Sequence, residues 1–201
     1  MNFTFLYNDT YMFNYSNGIP FKFSEKIADD ISWDSVLSLL SDDVFESKKI
    51  RESYYKGLGA KLDYADRHPV VKLIADDLHN IFNYPKMAKK ERPNAAHQLY
   101  INFVKTSPEQ VNDLDVPGPN KHLDNENVFF ICAQGEVLWK IYDTLGETIE
   151  YEFLLSKGEI VFCPLYRYHE VISLTPRIGV SLGFGKLNQQ LIADAFDQIL
   201  D

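Results

Sequence analysis

The spacing of apolar residues changes along the chain and separates a mixed N-terminal part from a strand-rich remainder. Residues 3–23 are rich in Phe and Tyr and are interrupted by Asn-Asp and Ser-Asn-Gly, which predicts short strands joined by turns. From Ser32 the apolar residues approach helical spacing, and residues 68–82 carry an apolar stripe at intervals of three and four, with Pro69 in the first turn. Two helices are therefore expected before residue 95.

From residue 97 the period becomes two. Leu99 and Ile101 alternate with Gln98, Tyr100 and Asn102, which predicts a strand over 97–104 with one apolar and one polar face. Further strand-like runs lie at 128–133, 137–142, 149–155, 159–163 and 177–184. Many short strands separated by turn signals are typical of a sandwich or a barrel.

The predicted fold is an α+β chain in a single domain, residues 1–201. Residues 1–95 form an N-terminal extension of mixed strand and helix, and residues 96–185 form a jelly-roll core that would carry any catalytic site. Residues 187–200 place their apolar side chains on one face of a C-terminal helix. We expect helices from both ends of the chain to buttress the double sheet, which leaves its interior for a site.

Charge and composition narrow the possible partners and location. The chain has 20 basic and 29 acidic residues, a net charge of −9, so duplex nucleic acid is not an expected partner. The basic run at 86–92 is expected to be a solvated surface.

No apolar run approaches the roughly 20 residues that span a bilayer, so no membrane is expected. Cys132 and Cys163 lie in apolar runs and are predicted to be buried free thiols, which favours a cytoplasmic protein.

Candidate chemistry centres on two histidines and an aspartate. His122 and Asp124 form a His-x-Asp element, and His169 follows 45 residues after Asp124. Two imidazoles and one carboxylate form a facial triad that leaves adjacent positions open on Fe(II). The alternative is a turn aspartate beside two structural histidines. The remaining histidines are expected to be structural: His68, His79 and His97.

Four segments resemble the Jumonji C type hydroxylases of the cupin superfamily. They are LYINFV at 99–104, His122-x-Asp124 with the strand after it, GEIVFCPLYRYHEV at 158–171, and RIGVSLGF at 177–184. The resemblance implies a double-stranded β-helix core that binds Fe(II) through His122, Asp124 and His169 as metal ligands and catalytic residues. It also implies 2-oxoglutarate and O2 as co-substrates for hydroxylation of a C–H bond, with a protein or peptide side chain as the expected substrate.

One departure from the family concerns 2-oxoglutarate. The family places a basic residue two positions after the glycine of this strand, where it pairs with the distal carboxylate of 2-oxoglutarate, and this chain has Val137 there. Other 2-oxoglutarate oxygenases take that cation from the strand after the distal histidine, which makes Arg177 the candidate, with Ser181 on the same face. Tyr100 and Asn102 could complete the site. The alternatives are that Arg177 is an exposed edge residue paired with a carboxylate, and that Tyr100 and Asn102 face solvent.

Two other functions stay open from the sequence. A metallocupin acting on a small molecule would use the same ligands without 2-oxoglutarate, and Val137 is its main support. A non-catalytic jelly-roll binding module would keep the ligands by accident. The helix at 187–200 resembles the dimerisation elements of some relatives, so a homodimer through it and an ordinary covering helix are both open.

Overall fold

The computed structural model describes residues 8–23, 26, 31–41, 59–63, 65, 68–82, 97–102 and 121–184. Within these residues the chain forms three helices and nine strands. The helices are α1 (Asp9–Ser16), α2 (Trp33–Ser41) and α3 (Pro69–Phe82). The strands are β1 (Phe21–Lys22), β2 (Gly59–Asp63), β3 (His97–Asn102), β4 (Asn127–Gln134), β5 (Glu136–Tyr142), β6 (Ile149–Ser156), β7 (Ile160–Cys163), β8 (His169–Ser173) and β9 (Arg177–Phe184).

The strands form two antiparallel sheets, as expected for a jelly roll. The larger sheet has the order β1-β7-β4-β9-β3-β2, and the smaller has the order β6-β5-β8. The connections β4–β5, β6–β7, β7–β8 and β8–β9 pass from one sheet to the other. The strands predicted from residue 97 onwards lie within one or two residues of their expected ends, although residues 103–104 and the predicted helix at 187–200 lie outside the described residues.

The prediction of strands throughout residues 3–23 is wrong for residues 9–16, which form α1. The Asn-Asp pair that was interpreted as a turn starts this helix, because the Asn8 side chain accepts a hydrogen bond from the Thr10 amide at 2.8 Å. Tyr11 packs from α1 onto Phe21 with ring centroids 5.2 Å apart. Tertiary packing of aromatic residues thus outweighs their strand propensity here.

Two strands escape the sequence prediction. Strand β8 alternates buried and half-buried residues from His169 to Ser173, but it is only five residues long and follows a turn-rich segment. Strand β2 pairs with β3 at the edge of the larger sheet. Short strands carry too few residues for alternation to stand out from chance.

The two faces of the larger sheet contact different hydrophobic cores. Ile178, Val180 and Leu182 of β9 lie in a core shared with all three helices, including Leu78 and Phe82 of α3. The opposite face contributes to a second core between the sheets, which includes the following residues: Val128, Phe130, Cys132, Val137, Trp139, Ile141, Leu155, Val161, Cys163 and Val171. A site between the sheets is consequently shielded on the helical side by the whole thickness of the larger sheet.

Both cysteines are free and buried, as predicted. Burial raises the pKa of the Cys132 thiol to about 12, so it stays protonated at neutral pH. The cytoplasmic location inferred from the cysteines stays a prediction. None of the helices in the described ranges is both long and apolar enough to cross a membrane.

We expect Phe129→Ala to lower the free energy of unfolding by about 3–5 kcal/mol, the usual cost of removing a buried aromatic ring. Phe129 is fully buried, and its ring centroid lies 5.0 Å from those of both Phe82 and Phe162. Leu145→Ala is the control, since Leu145 is 74% exposed and its truncation should change stability by about 0.5 kcal/mol or less. Denaturant unfolding measures both; equal losses would contradict the assigned core.

Candidate active site

The three predicted metal ligands come together at the mouth of the space between the sheets. His122 and Asp124 lie in the segment before β4, and His169 begins β8. The backbones of His122 and His169 exchange two hydrogen bonds, at 3.1 and 2.8 Å. One ligand atom from each of the three side chains lies within 4.8 Å of the other two. The fold therefore gathers a donor set that could hold a metal ion.

The orientation of His169 suits a metal ligand. Its Nδ1 lies 3.0 Å from the Arg167 carbonyl oxygen. Because a carbonyl oxygen only accepts hydrogen bonds, Nδ1 carries the proton, and the lone pair of Nε2 is available to a metal ion. Nε2 lies 3.6 Å from Asp124 Oδ2. Ligands bound about 2.0–2.2 Å from one ion are at most about 4.4 Å apart, so this separation is compatible with a shared ion.

The surroundings keep His169 neutral. Burial is the main cause that lowers its pKa to about 4, and the nearby His122 contributes to the same shift. The neutral imidazole is the form that binds metals. Trp139 stacks on the ring at 5.0 Å between centroids and 12° between planes. Trp139 is buried and contacts a candidate ligand.

A turn with an unusual backbone supports Asp124. The Tyr166 amide donates a hydrogen bond to the Asp124 carbonyl oxygen at 2.8 Å. Tyr166 has φ 56°, the only positive value of a non-glycine residue in the described part of the chain. This left-handed conformation costs free energy that the surrounding contacts must offset. The loop before β8 thus holds the backbone of the His122–Asp124 segment as well as presenting His169.

The candidate ligands line a cavity of about 110 Å³ between the sheets. This volume exceeds the roughly 10–15 Å³ that one water molecule requires and is therefore suited to a small ligand. Both sheets contribute to the walls. The lining residues are Gln98, Tyr100, His122, Asp124, Glu126, Val128, Phe130, Trp139, His169, Val171, Arg177 and Ser181.

Arg177 supplies a buried cation to this cavity. Only 2% of the residue is exposed, and its Nε donates a hydrogen bond to Ser173 Oγ at 2.6 Å. The guanidinium carbon lies 5.3 Å from the centre of the Phe130 ring. A Cβ atom at Gly179 would lie 2.9 Å from Arg177 Nη1 and 2.5 Å from Phe130 Cζ. The absence of a side chain at residue 179 lets both groups lie against β9.

The other residues predicted to bind 2-oxoglutarate occupy the same face of the larger sheet. Ser181 and Tyr100 line the cavity. Asn102 is buried and pairs with Arg177 across β3 and β9, but it is not among the described residues that line the cavity. Val137 is buried on β5, directly opposite Ser173 of β8. Residue 137, where the resemblance would place a basic residue, therefore lies beside Ser173, which accepts a hydrogen bond from Arg177.

Several lining residues were not predicted from the sequence. Gln98 accepts a hydrogen bond from the Tyr100 hydroxyl at 2.5 Å, and its place on the polar face of β3 was the available signal. The Glu126 carboxyl group packs where a Cβ atom at Gly183 would lie. Phe130 belongs to a strand buried on both faces, so alternation could not assign it to the cavity, and Val171 lies on the short strand β8, which was not predicted.

The remaining histidines lie elsewhere. His68 is buried and its Nε2 lies 3.0 Å from Ser35 Oγ, which links the first turn of α2 to the start of α3. His97 begins β3, and His79 lies in α3, where its side chain is outside the description. Among the described residues, one group can hold a metal ion: His122, Asp124 and His169.

The sequence matches no protein-family model and no curated protein. The structure does match YcfD, a ribosomal oxygenase from Escherichia coli, at a TM-score of 0.59 and 17% identity, over 90% of this chain and 52% of that chain. YcfD in complex with cobalt and 2-oxoglutarate matches at a TM-score of 0.55, 17% identity and the same coverage.

The chain thus spans about half the length of YcfD, and at this identity the likeness establishes the fold. A further structure of YcfD, with cobalt and succinic acid, matches at a TM-score of 0.57 and 18% identity over 90% of this chain and 52% of that one. The resemblance predicted from the motifs is confirmed in the fold, which is a jelly roll shared with a ribosomal oxygenase.

Proposed function

We propose that this protein is an Fe(II)- and 2-oxoglutarate-dependent dioxygenase that hydroxylates a C–H bond. One observation carries the proposal: His122, Asp124 and His169 converge at a cavity that also contains the buried cation Arg177. A metal site alone would suit many cupin reactions. A cation in the same cavity is what a dicarboxylate ligand of the metal requires.

The donor set fits ferrous iron. His122, Asp124 and His169 would hold the ion through two imidazole nitrogens and one carboxylate oxygen, which leaves three octahedral positions for other ligands. Iron and 2-oxoglutarate, when bound, supply the oxidising chemistry, in which 2-oxoglutarate is decarboxylated to succinate and one oxygen atom of O2 enters a C–H bond of the substrate. The protein's own residues would bind and orient the iron and the 2-oxoglutarate and limit the access of water to them.

Arg177 would bind the distal carboxylate of 2-oxoglutarate. Its guanidinium is planar and permanently charged, and burial strengthens a hydrogen bond to a carboxylate because water does not compete for it. Ser181 and Tyr100 offer hydroxyl groups from the same cavity wall. Asn102 would act from beside Arg177 in the sheet rather than from the cavity surface.

Apolar side chains complete the site. Phe130, Trp139 and Val171 line the cavity along with the candidate ligands. Their apolar surfaces would limit water on the inner side of the cavity, and Trp139 stacks on the ring of His169.

The proposed substrate is a side chain of a protein or peptide. YcfD is described as a ribosomal oxygenase, and this fold-level analogy supports a protein substrate for this chain. The alternative, a metallocupin acting on a small molecule without 2-oxoglutarate, is favoured by Val137. The cytoplasmic location, the lack of duplex nucleic-acid binding and the homodimer through residues 187–200 stay predictions.

We expect His169→Ala to weaken Co(II) binding, measured by anaerobic calorimetry, by more than about 100-fold. Loss of an outer-shell partner alone typically costs 10–100-fold in metal affinity, and this change removes a ligand. Asp124→Asn should also weaken binding, because a neutral amide oxygen replaces a carboxylate. Glu147→Gln is the matched control, since it removes an exposed carboxylate outside the triad and should leave affinity unchanged. Unaltered binding by His169→Ala would remove that residue from the site.

We expect Arg177→Met to reduce 2-oxoglutarate affinity by about 100-fold or more, because charge-assisted hydrogen bonds from the guanidinium are lost. Anaerobic titration of the Fe(II) protein with 2-oxoglutarate measures this through the visible charge-transfer band of the chelate. Iron affinity should not change, since Arg177 is not among the candidate ligands. Absence of the band in the wild-type protein would favour the metallocupin.

Adding Val137→Lys to Arg177→Met should restore part of the 2-oxoglutarate affinity. Residue 137 lies opposite Ser173, the hydrogen-bond partner of Arg177, so a lysine there would bring an ammonium group to the same part of the cavity. Val137→Met in the same background is the control for added side-chain volume. Equal affinity in the two double variants would show that a cation at residue 137 cannot replace the guanidinium.

A further inference from the structure

We propose that Ser173 is a positioning residue that orients the Arg177 guanidinium for a carboxylate in the cavity; this role rests on the proposed function. Ser173 is not among the residues that line the cavity. It would act through Arg177, not through the metal or the substrate. The hydroxyl would therefore set the affinity for the distal carboxylate of 2-oxoglutarate.

The contact between the two side chains is short and excluded from water. Arg177 Nε lies 2.6 Å from Ser173 Oγ, and the two residues are 2% and 0% exposed. A hydrogen bond from a charged donor is about twice as strong as a neutral one. Burial also makes its loss costly, because no bulk water can replace the acceptor.

The backbone holds Ser173 at a fixed distance from Arg177. The four-residue step between them carries the chain from the smaller sheet to the larger. The Leu174 amide donates to the Glu136 carbonyl oxygen at 3.0 Å, and the Glu136 amide donates to Thr175 Oγ1 at 2.9 Å. Gly135 has φ 82° and lies close to the Pro176 backbone, since a Cβ atom at residue 135 would lie 2.3 Å from the Pro176 carbonyl oxygen. This turn has little freedom to move.

Three contacts together restrict the rotation of the guanidinium. Ser173 accepts a hydrogen bond from Nε, the Phe130 ring centre lies 5.3 Å from the guanidinium carbon, and Nη1 lies 2.9 Å from the place that a Cβ atom of Gly179 would occupy. Because the guanidinium is planar, turning Nε toward Ser173 directs the edge formed by Nη1 and Nη2 away from it. That edge can meet a carboxylate with two parallel hydrogen bonds. Among these contacts, the one to Ser173 is directional and polar.

A lysine at residue 177 would not need this partner. Its ammonium group is a single point of charge with rotating donors, so it has no fork to orient. An Arg177→Lys background would thus distinguish a serine that acts through the arginine from one that only fills space. The first effect depends on the side chain at residue 177, and the second does not.

The test compares two 2-oxo acids as ligands of the Fe(II) protein under anaerobic conditions. Pyruvate chelates through the same 2-oxocarboxylate group as 2-oxoglutarate but has no distal carboxylate. We expect Ser173→Ala to weaken 2-oxoglutarate binding about tenfold, the equivalent of one buried hydrogen bond, and to leave pyruvate binding unchanged. Equal losses for both ligands, or no loss for either, would overturn the proposal.

A double-mutant cycle gives the second measurement. In an Arg177→Lys background, Ser173→Ala should change 2-oxoglutarate affinity less than twofold, because the guanidinium through which it acts is gone. A tenfold loss that persists in this background would show that Ser173 acts by another route. These affinities are equilibrium values and do not depend on turnover.

Conservative variants and a matched control complete the design. Ser173→Thr keeps the hydroxyl and should retain wild-type affinity. Ser173→Cys keeps a side chain of similar size but replaces the hydroxyl with a weak hydrogen-bond acceptor, so it should also bind 2-oxoglutarate about tenfold more weakly. This variant gives the same test if Ser173→Ala folds poorly. Ser156→Ala, which removes a hydroxyl bonded to Glu159, should change neither affinity. Failure of the wild-type protein to bind 2-oxoglutarate would refute the proposed function itself, whereas a normal wild type with an unaffected Ser173→Ala would refute only this role.

Discussion

The structure of the site depends on one backbone pairing, between His122 and His169. Two hydrogen bonds join these residues across a separation of 47 positions, and each residue carries an imidazole toward the other. The pairing adds the His122 segment to the edge of the smaller sheet beside β8. Asp124, two positions further along, then projects to the same side as His122. A shift of this register by one residue would turn one imidazole to the opposite face of the sheet, and the three candidate ligands would no longer lie together.

The cavity depends on a second constraint, which is the alternation of side chains along β9. Apolar residues at 178, 180 and 182 bury one face of this strand against the helical core. The other face is thereby fixed toward the space between the sheets, and it presents a cation, a glycine and a hydroxyl at 177, 179 and 181. The same residues that stabilise the fold therefore determine where the charge lies. Stability and ligand binding are coupled through one strand.

Alternation of apolar residues was sufficient to predict most of the strands and the faces of β3 and β9, because one side of each is apolar throughout. Spacing and the family resemblance were sufficient to predict that His122, Asp124 and His169 would meet. Asn102 shows what alternation cannot predict. It lies on the face that was expected, but it is not among the residues that line the cavity. Ser173 could not be predicted, since its role follows from a contact between two sheets that no local pattern encodes.

The N-terminal error has a physical cause of the same kind. Residues 9–16 contain two tyrosines, a phenylalanine and a methionine, a composition that local propensity assigns to strands. The helix forms because Asn8 caps it and because Tyr11 and Tyr15 reach the aromatic core around Phe129 and Phe162. Residues distant in sequence determine this outcome. Local patterns succeed where a face is uniformly apolar and fail where packing partners decide.

Under the proposed function, the position of the cation would show how a fold can keep a chemical function while changing the residue that supplies it. A dicarboxylate bound between two sheets needs a positive group at a given place, and either sheet can provide it. In the proposed site, Val137 on the smaller sheet would leave that place to Arg177 on the larger sheet, and Ser173 opposite Val137 accepts a hydrogen bond from the guanidinium Nε. A buried charge needs polar partners to offset its desolvation, so a relocated cation requires a relocated hydrogen-bond acceptor. The pairing of a small apolar residue at 137 with a hydroxyl at 173 is thus the expected consequence of moving the charge to β9.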